Sequence, residues 1–175
     1  MKSCSAITIG LALAVSLAPA AIGQTGTADR LRQPDNTFLT KAAQGGMEEV
    51  ELGKLAVERA SDPKVKNFGQ RMVDDHSAAN DKLKQVAAKK NVSLPPQMTE
   101  EQQRTKAKLA KLSGAEFDRS YMEYMVNDHK ADVAEFQREG NSGNDPDVKG
   151  FAQETLPTLQ DHLRMAQDVH AQLKK

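Results

Sequence analysis

Apolar positions recur at three- and four-residue intervals along the chain from about residue 35 onward, and no stretch alternates with period two. That spacing lines apolar side chains along one face of a helix, so the chain reads as all-α. The punctuation between periodic stretches sets the elements. The first helix starts near Asp35 or Asn36 as cap and runs to about Arg59. Asp62-Pro63 is a cap followed by proline at the first helical position, and opens a second helix reaching about Lys90. Val92-Ser93-Leu94-Pro95-Pro96 breaks the pattern. Thr99 to Gln102 forms a capping box that opens a short helix to about Leu112. Ser113 to Glu116 reads as a second box, opening a helix that ends near Gly140. Asn141 to Asn144 is a turn, and Asp145-Pro146 starts a last helix that runs almost to the C-terminus. Pro157 inside it should kink the helix or leave a local backbone gap.

Four helices of about 25 residues each span about 37 Å. The first and second, and the third and fourth, have short connections, so each pair is expected as an antiparallel hairpin. The long middle connection carries its own short helix and can return the chain along the bundle. The expected fold is a ferritin-like four-helix bundle with a short crossover helix, the second and third long helices running parallel.

Each long helix carries one strongly polar residue on its apolar seam. Glu49 interrupts Phe38, Ala42, Gly45, Leu52 and Ala56; His76 interrupts Val65, Phe68, Met72, Ala79 and Leu83. His129 follows Met122 and Met125, and His162 follows Ala152, Thr155 and Leu159. All four fall near mid-helix, so they should share one layer. Three of the four histidines in the chain sit in Asp-His pairs, Asp75-His76, Asp128-His129 and Asp161-His162. One carboxylate and three neutral imidazoles make a first shell for a divalent transition metal: zinc, copper, iron or manganese. The bland alternative is a metal-free network in which Glu49 accepts hydrogen bonds from histidines and fixes helix register. Each aspartate before a histidine should point about 100° away, to the surface or the boundary, with solvation expected ahead of binding a neighbour. Glu48 and Glu51 are expected to face water, and either could supply a bridging carboxylate if the helix is rotated. Gly45, Gly46 and Gly53 flank Glu49, which a close neighbouring helix would explain. Met72, Met125 and Met165 should lie together on one side of the histidine layer. Thioether beside imidazole favours copper, but methionine is also an ordinary core filler. His170, near the end of the last helix, receives no role.

The N-terminus adds a compartment. Lys2, the apolar run from Ala6 to Ala18 and Ala18-Pro19-Ala20 read as a signal peptide over residues 1–23, too short for a transmembrane span. Residues 24–33 read as a flexible lead-in, and 34–175 as the bundle domain. An uncleaved anchor is the alternative. The mature protein is expected in the periplasm, with outer-membrane association open. Cys4, the one cysteine, lies in the leader, so the mature chain has no disulfide. Charges balance at 24 basic and 24 acidic residues, which argues against nucleic acid as a partner. A metal ion, an envelope protein or a second copy of the chain remain as partners.

With the leader, the Asp-His helices, FDRSYMEYMVNDHKADVAEF and DPDVKGFAQETLPTLQDHL in view, residues 34 to 173 resemble an exported bacterial family of unknown function, DUF 4142, often labelled a predicted outer-membrane protein. The resemblance implies a ferritin-like bundle in the periplasm and no established activity, substrate or cofactor. The chain departs from di-iron bundles, which place Glu-x-x-His on two helices. Here Val73, Val126 and Leu159 stand three residues before the histidines, so carboxylates for two bridged irons are not expected. Two readings stand: a metal-binding or metal-handling protein of the periplasm, tied to metal or oxidative stress, in which the metal would do any chemistry; or a non-enzymatic envelope module whose histidine layer serves stability or pH sensing.

Overall fold

The computed structural model describes residues 31–174. The expected signal peptide and the lead-in up to residue 30 lie outside the described residues. Five helices account for the rest: α1 (Gln33–Arg59), α2 (Pro63–Lys89), α3 (Glu100–Leu109), α4 (Gly114–Ser142) and α5 (Pro146–Leu173).

Local chemistry explains most of the boundaries. Asp62 caps α2 by accepting from the Lys64 amide at 2.7 Å, and Asp145 caps α5 by accepting from the Asp147 and Val148 amides at 3.0 and 3.2 Å. Both caps are followed by proline, whose missing N–H costs nothing in a first turn. Thr99 and Gln102 close the expected capping box on α3. At the end of α2, Asn91 takes a left-handed φ of 54°. The Val92 and Asn91 amides then bond back to the Ala87 and Ala88 carbonyls, a Schellman closure.

Three boundaries differ from the sequence expectation. α1 starts before Asp35, because Pro34 already fits the first turn and Asp35 is employed elsewhere. Ser113 makes no side-chain cap on α4; Gly114, at φ 59°, makes the entry instead. α3 stops at Leu109 rather than Leu112. α5 continues through Pro157.

Two buried aspartates set the directions of the helices. Asp35, at the start of α1, accepts from the Asn144 and Asp145 amides at 3.1 and 3.0 Å in the α4–α5 turn. Asp118, near the start of α4, accepts from the Ser61 and Asp62 amides at 3.0 and 2.9 Å in the α1–α2 turn. The start of α4 therefore lies at the end of α1. α4 runs antiparallel to α1 and parallel to α2, as the long connection through α3 allows. α1 packs on α2 and α4, and α5 on α4 and α2. The molecule is an all-α four-helix bundle with one crossover.

Gly53 and Gly69 let α1 and α2 approach closely: a Cβ on Gly53 would sit 2.6 Å from the Gly69 carbonyl oxygen. Gly46 meets only the side chain of Asn80, and Gly45 faces open space, so close packing explains Gly53 but not Gly45. The core is divided. One apolar cluster gathers Leu52, Phe68, Met72, Phe117, Tyr121 and Met125; the other gathers Phe38, Leu39, Leu83, Phe136, Phe151 and Leu159. Between them lies a polar layer.

Candidate metal centre

Each long helix contributes one residue to that layer: Glu49 from α1, His76 from α2, His129 from α4 and His162 from α5. None of the four is more than 6% exposed. The three imidazole centroids stand 5.3 to 5.9 Å apart, and one ring nitrogen of each histidine lies within 4.8 Å of the others. The structure thus brings together all four residues singled out by the seams.

The other ring nitrogens are partly engaged. His129 Nδ1 lies 3.0 Å from the Met125 carbonyl oxygen. His162 Nε2 lies 2.8 Å from Asp75 Oδ2 across the α2–α5 interface. In each case the engaged nitrogen carries the proton, which leaves a lone pair on the opposite nitrogen. Those opposite atoms, His129 Nε2 and His162 Nδ1, have no hydrogen-bond partner among the described residues. His76 Nε2 lies against Glu49 Oε2, but the contact lacks hydrogen-bond alignment, and His76 Nε2 and both Glu49 oxygens also remain unsatisfied. Leaving such atoms buried and unpaired costs about 1–3 kcal/mol each.

Burial sets the protonation states. It pulls His76 and His162 down to about 4 and His129, which also feels both neighbours, to about 3. At neutral pH all three rings are neutral, the form that binds metal. Burial pushes the Glu49, Asp128 and Asp132 carboxyls well above their usual range, and repulsion among the acids adds to it. The Asp128 carboxyl stands beside that of Glu49, with ligand oxygens of the two within 4.8 Å of each other.

The surroundings overturn several expectations. Asp75 is half-buried and orients His162 rather than facing water. Asp128 is half-buried beside Glu49, and only Asp161 of the three paired aspartates stands exposed, bridging to Arg164 at 2.8 Å. An offset of about 100° leaves one seam but, in a four-helix bundle, meets the next helix. Glu48 is also buried, accepting from the Tyr124 hydroxyl at 2.7 Å; Glu51 does reach solvent and pairs with Lys54 and Lys106. Carboxyls are therefore not scarce. Glu48, Glu49, Asp128 and Asp132 surround the layer without any Glu-x-x-His spacing. The signal for Asp128 and Asp132 was their four-residue separation on one face of α4. Met72, Met125 and Met165 all belong to one apolar cluster on the same side of the layer.

A cavity of about 200 Å³ adjoins the centre, lined by Gly45, Gly46, His76, Asp132, Glu135 and Thr155. The open space at Gly45 belongs to it. A larger open groove of about 810 Å³ runs between α1, α2 and α3, but none of the four polar residues lines it.

The family described as "Domain of unknown function (DUF4142)" matches residues 20–169. No curated protein sequence matches the chain. Among solved structures, a DUF305 fragment from Deinococcus radiodurans superposes with a TM-score of 0.71 at 15% identity, over 81% of this chain and 98% of the fragment. A protein from Streptomyces coelicolor, described as "putative secreted protein DUF305", gives a TM-score of 0.68 at 15% identity, over 81% of this chain and 92% of its own. At that identity the likeness is one of fold. Among the described residues no helix is long and apolar enough to cross a membrane.

Proposed function

The chain belongs to the DUF4142 family, and from that premise we propose that it is an exported, periplasmic metal-binding bundle whose ligands are Glu49, His76, His129 and His162. One observation carries the reading. Each histidine keeps one buried ring nitrogen without a hydrogen-bond partner, and the three rings converge in one layer. A purely hydrogen-bonded network would be expected to satisfy those atoms. A metal ion accepts all three lone pairs at once, with Glu49 supplying one compensating charge. The engaged nitrogens fit the same reading, since ligating imidazoles are usually held by a carbonyl or carboxylate on their far side. Three imidazoles and a carboxylate suit zinc, copper, iron or manganese. Export is supported by the leader-like N-terminal sequence and by the description of the Streptomyces protein as secreted.

The second reading is a metal-free envelope module, favoured by the contacts of Glu49 with His76 and His129. Thermal melting separates the two. Zinc should raise the melting temperature of the wild type and leave His76→Ala unchanged. A wild type indifferent to zinc, copper, iron and manganese, yet shifted by acid, would favour the module.

A further inference from the structure

Where α1 and α4 face each other, their side chains form a ladder that leads down to the histidine layer. On α1, Lys41, Gly45 and Glu49 follow at four-residue steps; on α4, Glu135, Asp132 and His129 follow at three-residue steps, so each trio keeps to one face. The two helices run antiparallel, and the first and last rungs meet. Lys41 Nζ lies 3.7 Å from Glu135 Oε2, and Glu49 Oε1 lies 3.3 Å from His129 Nδ1. The middle rung sets Asp132 opposite Gly45, which has no side chain. A Cβ on Gly45 would meet nothing within 4 Å, whereas one on Gly46 would strike the Asn80 side chain. Packing thus accounts for Gly46 but not for Gly45, although glycine inside a helix lowers its stability.

The missing rung leaves the cavity of about 200 Å³. Leu83, Phe136, Phe151 and Leu159 wall it, and it reaches His76, a buried ring whose Nε2 has no hydrogen-bond partner. At about 30 Å³ per water, that space admits a cation with several waters. Oxygen donors line it in steps: Glu135 at the level of Lys41, Asp132 one turn nearer the layer, and the Thr155 hydroxyl, which donates to the Phe151 carbonyl at 2.8 Å and keeps its lone pairs. Other flanks of the layer are closed by paired side chains. Asp75 is held between Arg71 and His162, and the Tyr124 hydroxyl closes on Glu48 at 2.7 Å.

We propose that this cavity is the port by which a partly hydrated divalent cation reaches the histidine centre, with Asp132 and Glu135 replacing the waters it sheds. The proposal rests on the histidine-centre reading above, which supplies the destination. Gly45 keeps the port open. Lys41, exposed and paired with Glu135 at the mouth, opposes an arriving cation and slows its passage.

Stopped-flow mixing of the metal-free protein with cobalt(II), followed by the visible absorption of the bound ion, tests this. Gly45→Leu fills the cavity. It should reach the same final cobalt count and spectrum as wild type, but many-fold more slowly. Lys41→Gln should take up cobalt several-fold faster than wild type, with the gain shrinking at high salt. Ala107→Leu, in the open groove beside α3, should leave the rate unchanged. A wild-type rate in Gly45→Leu would overturn the proposal and leave the histidine centre standing, as would equal slowing by Ala107→Leu. If circular dichroism shows that Gly45→Leu does not fold, Lys41→Gln and Asp132→Asn decide: the second should slow uptake, and wild-type rates in both would overturn the proposal. A wild type that takes up neither cobalt nor zinc would overturn the port and the centre together.

Discussion

A histidine in a bundle core carries two nitrogens, and the two play different parts here. The Asp75 carboxylate holds the outer nitrogen of His162 at 2.8 Å, and the Met125 carbonyl does the same for His129 at 3.0 Å. Such partners fix the tautomer and aim the ring. Asp75→Ala should therefore weaken zinc binding about 10- to 100-fold, whereas Asp161→Ala, at an exposed aspartate, should not. Isothermal titration calorimetry on both variants checks the contrast, and equal affinities would remove Asp75 from the centre. At this scale the sequence was half legible. Glu49 and the three histidines stood out as polar interruptions of apolar seams. Asp75, Asp128, Asp132 and Glu48 did not, because whether a residue just off a seam is buried depends on the neighbouring helix.

The two hairpins repeat one design at the level of elements. Each turn ends in Asp-Pro, and each is pinned through its backbone amides by a buried aspartate from the start of a helix in the other hairpin, Asp118 or Asp35. The Asp-Pro starts were plain in the sequence, since cap and proline chemistry is local. The aspartates that pin the turns were not, since their partners lie more than fifty residues away; Asp35 read as a cap. One corner titrates. Burial, then the charge of Asp35, raises Glu139 to about 7 from 4.5. The folded state keeps a proton that the unfolded chain has released. The stability from this group is complete below pH 4.5 and is lost as pH rises through 7. Urea unfolding of the metal-free protein should show wild type losing stability over that window relative to Glu139→Gln. Parallel profiles would contradict the assignment.

For the whole molecule, the polar layer splits the apolar core, and in the metal-free protein its histidines act against acid. Their folded values, about 3 to 4, lie below the ordinary 6.5. The unfolded chain takes up protons first, so their contribution is lost as pH falls from 6.5 through about 4. The raised carboxyls of Glu49, Asp128 and Asp132 work in the opposite sense, losing stability as pH rises above the usual carboxyl range. Comparison with His129→Leu isolates the histidine part: wild type should fall relative to that variant between pH 7 and 4.5, read by urea midpoints. A constant difference would mean that His129 is not buried neutral. Helix number, hairpin pairing and the parallel run of α2 and α4 were legible from periodicity and loop length. The division of the core into two clusters was visible only as a layer of four polar residues.

In the proposed centre three imidazoles converge on one ion. X-ray absorption on protein loaded with one equivalent of zinc measures this directly. Three imidazole nitrogens are expected at about 2.0–2.1 Å, with one carboxylate oxygen completing the shell. A shell with one imidazole or none, or no uptake of zinc, would contradict it.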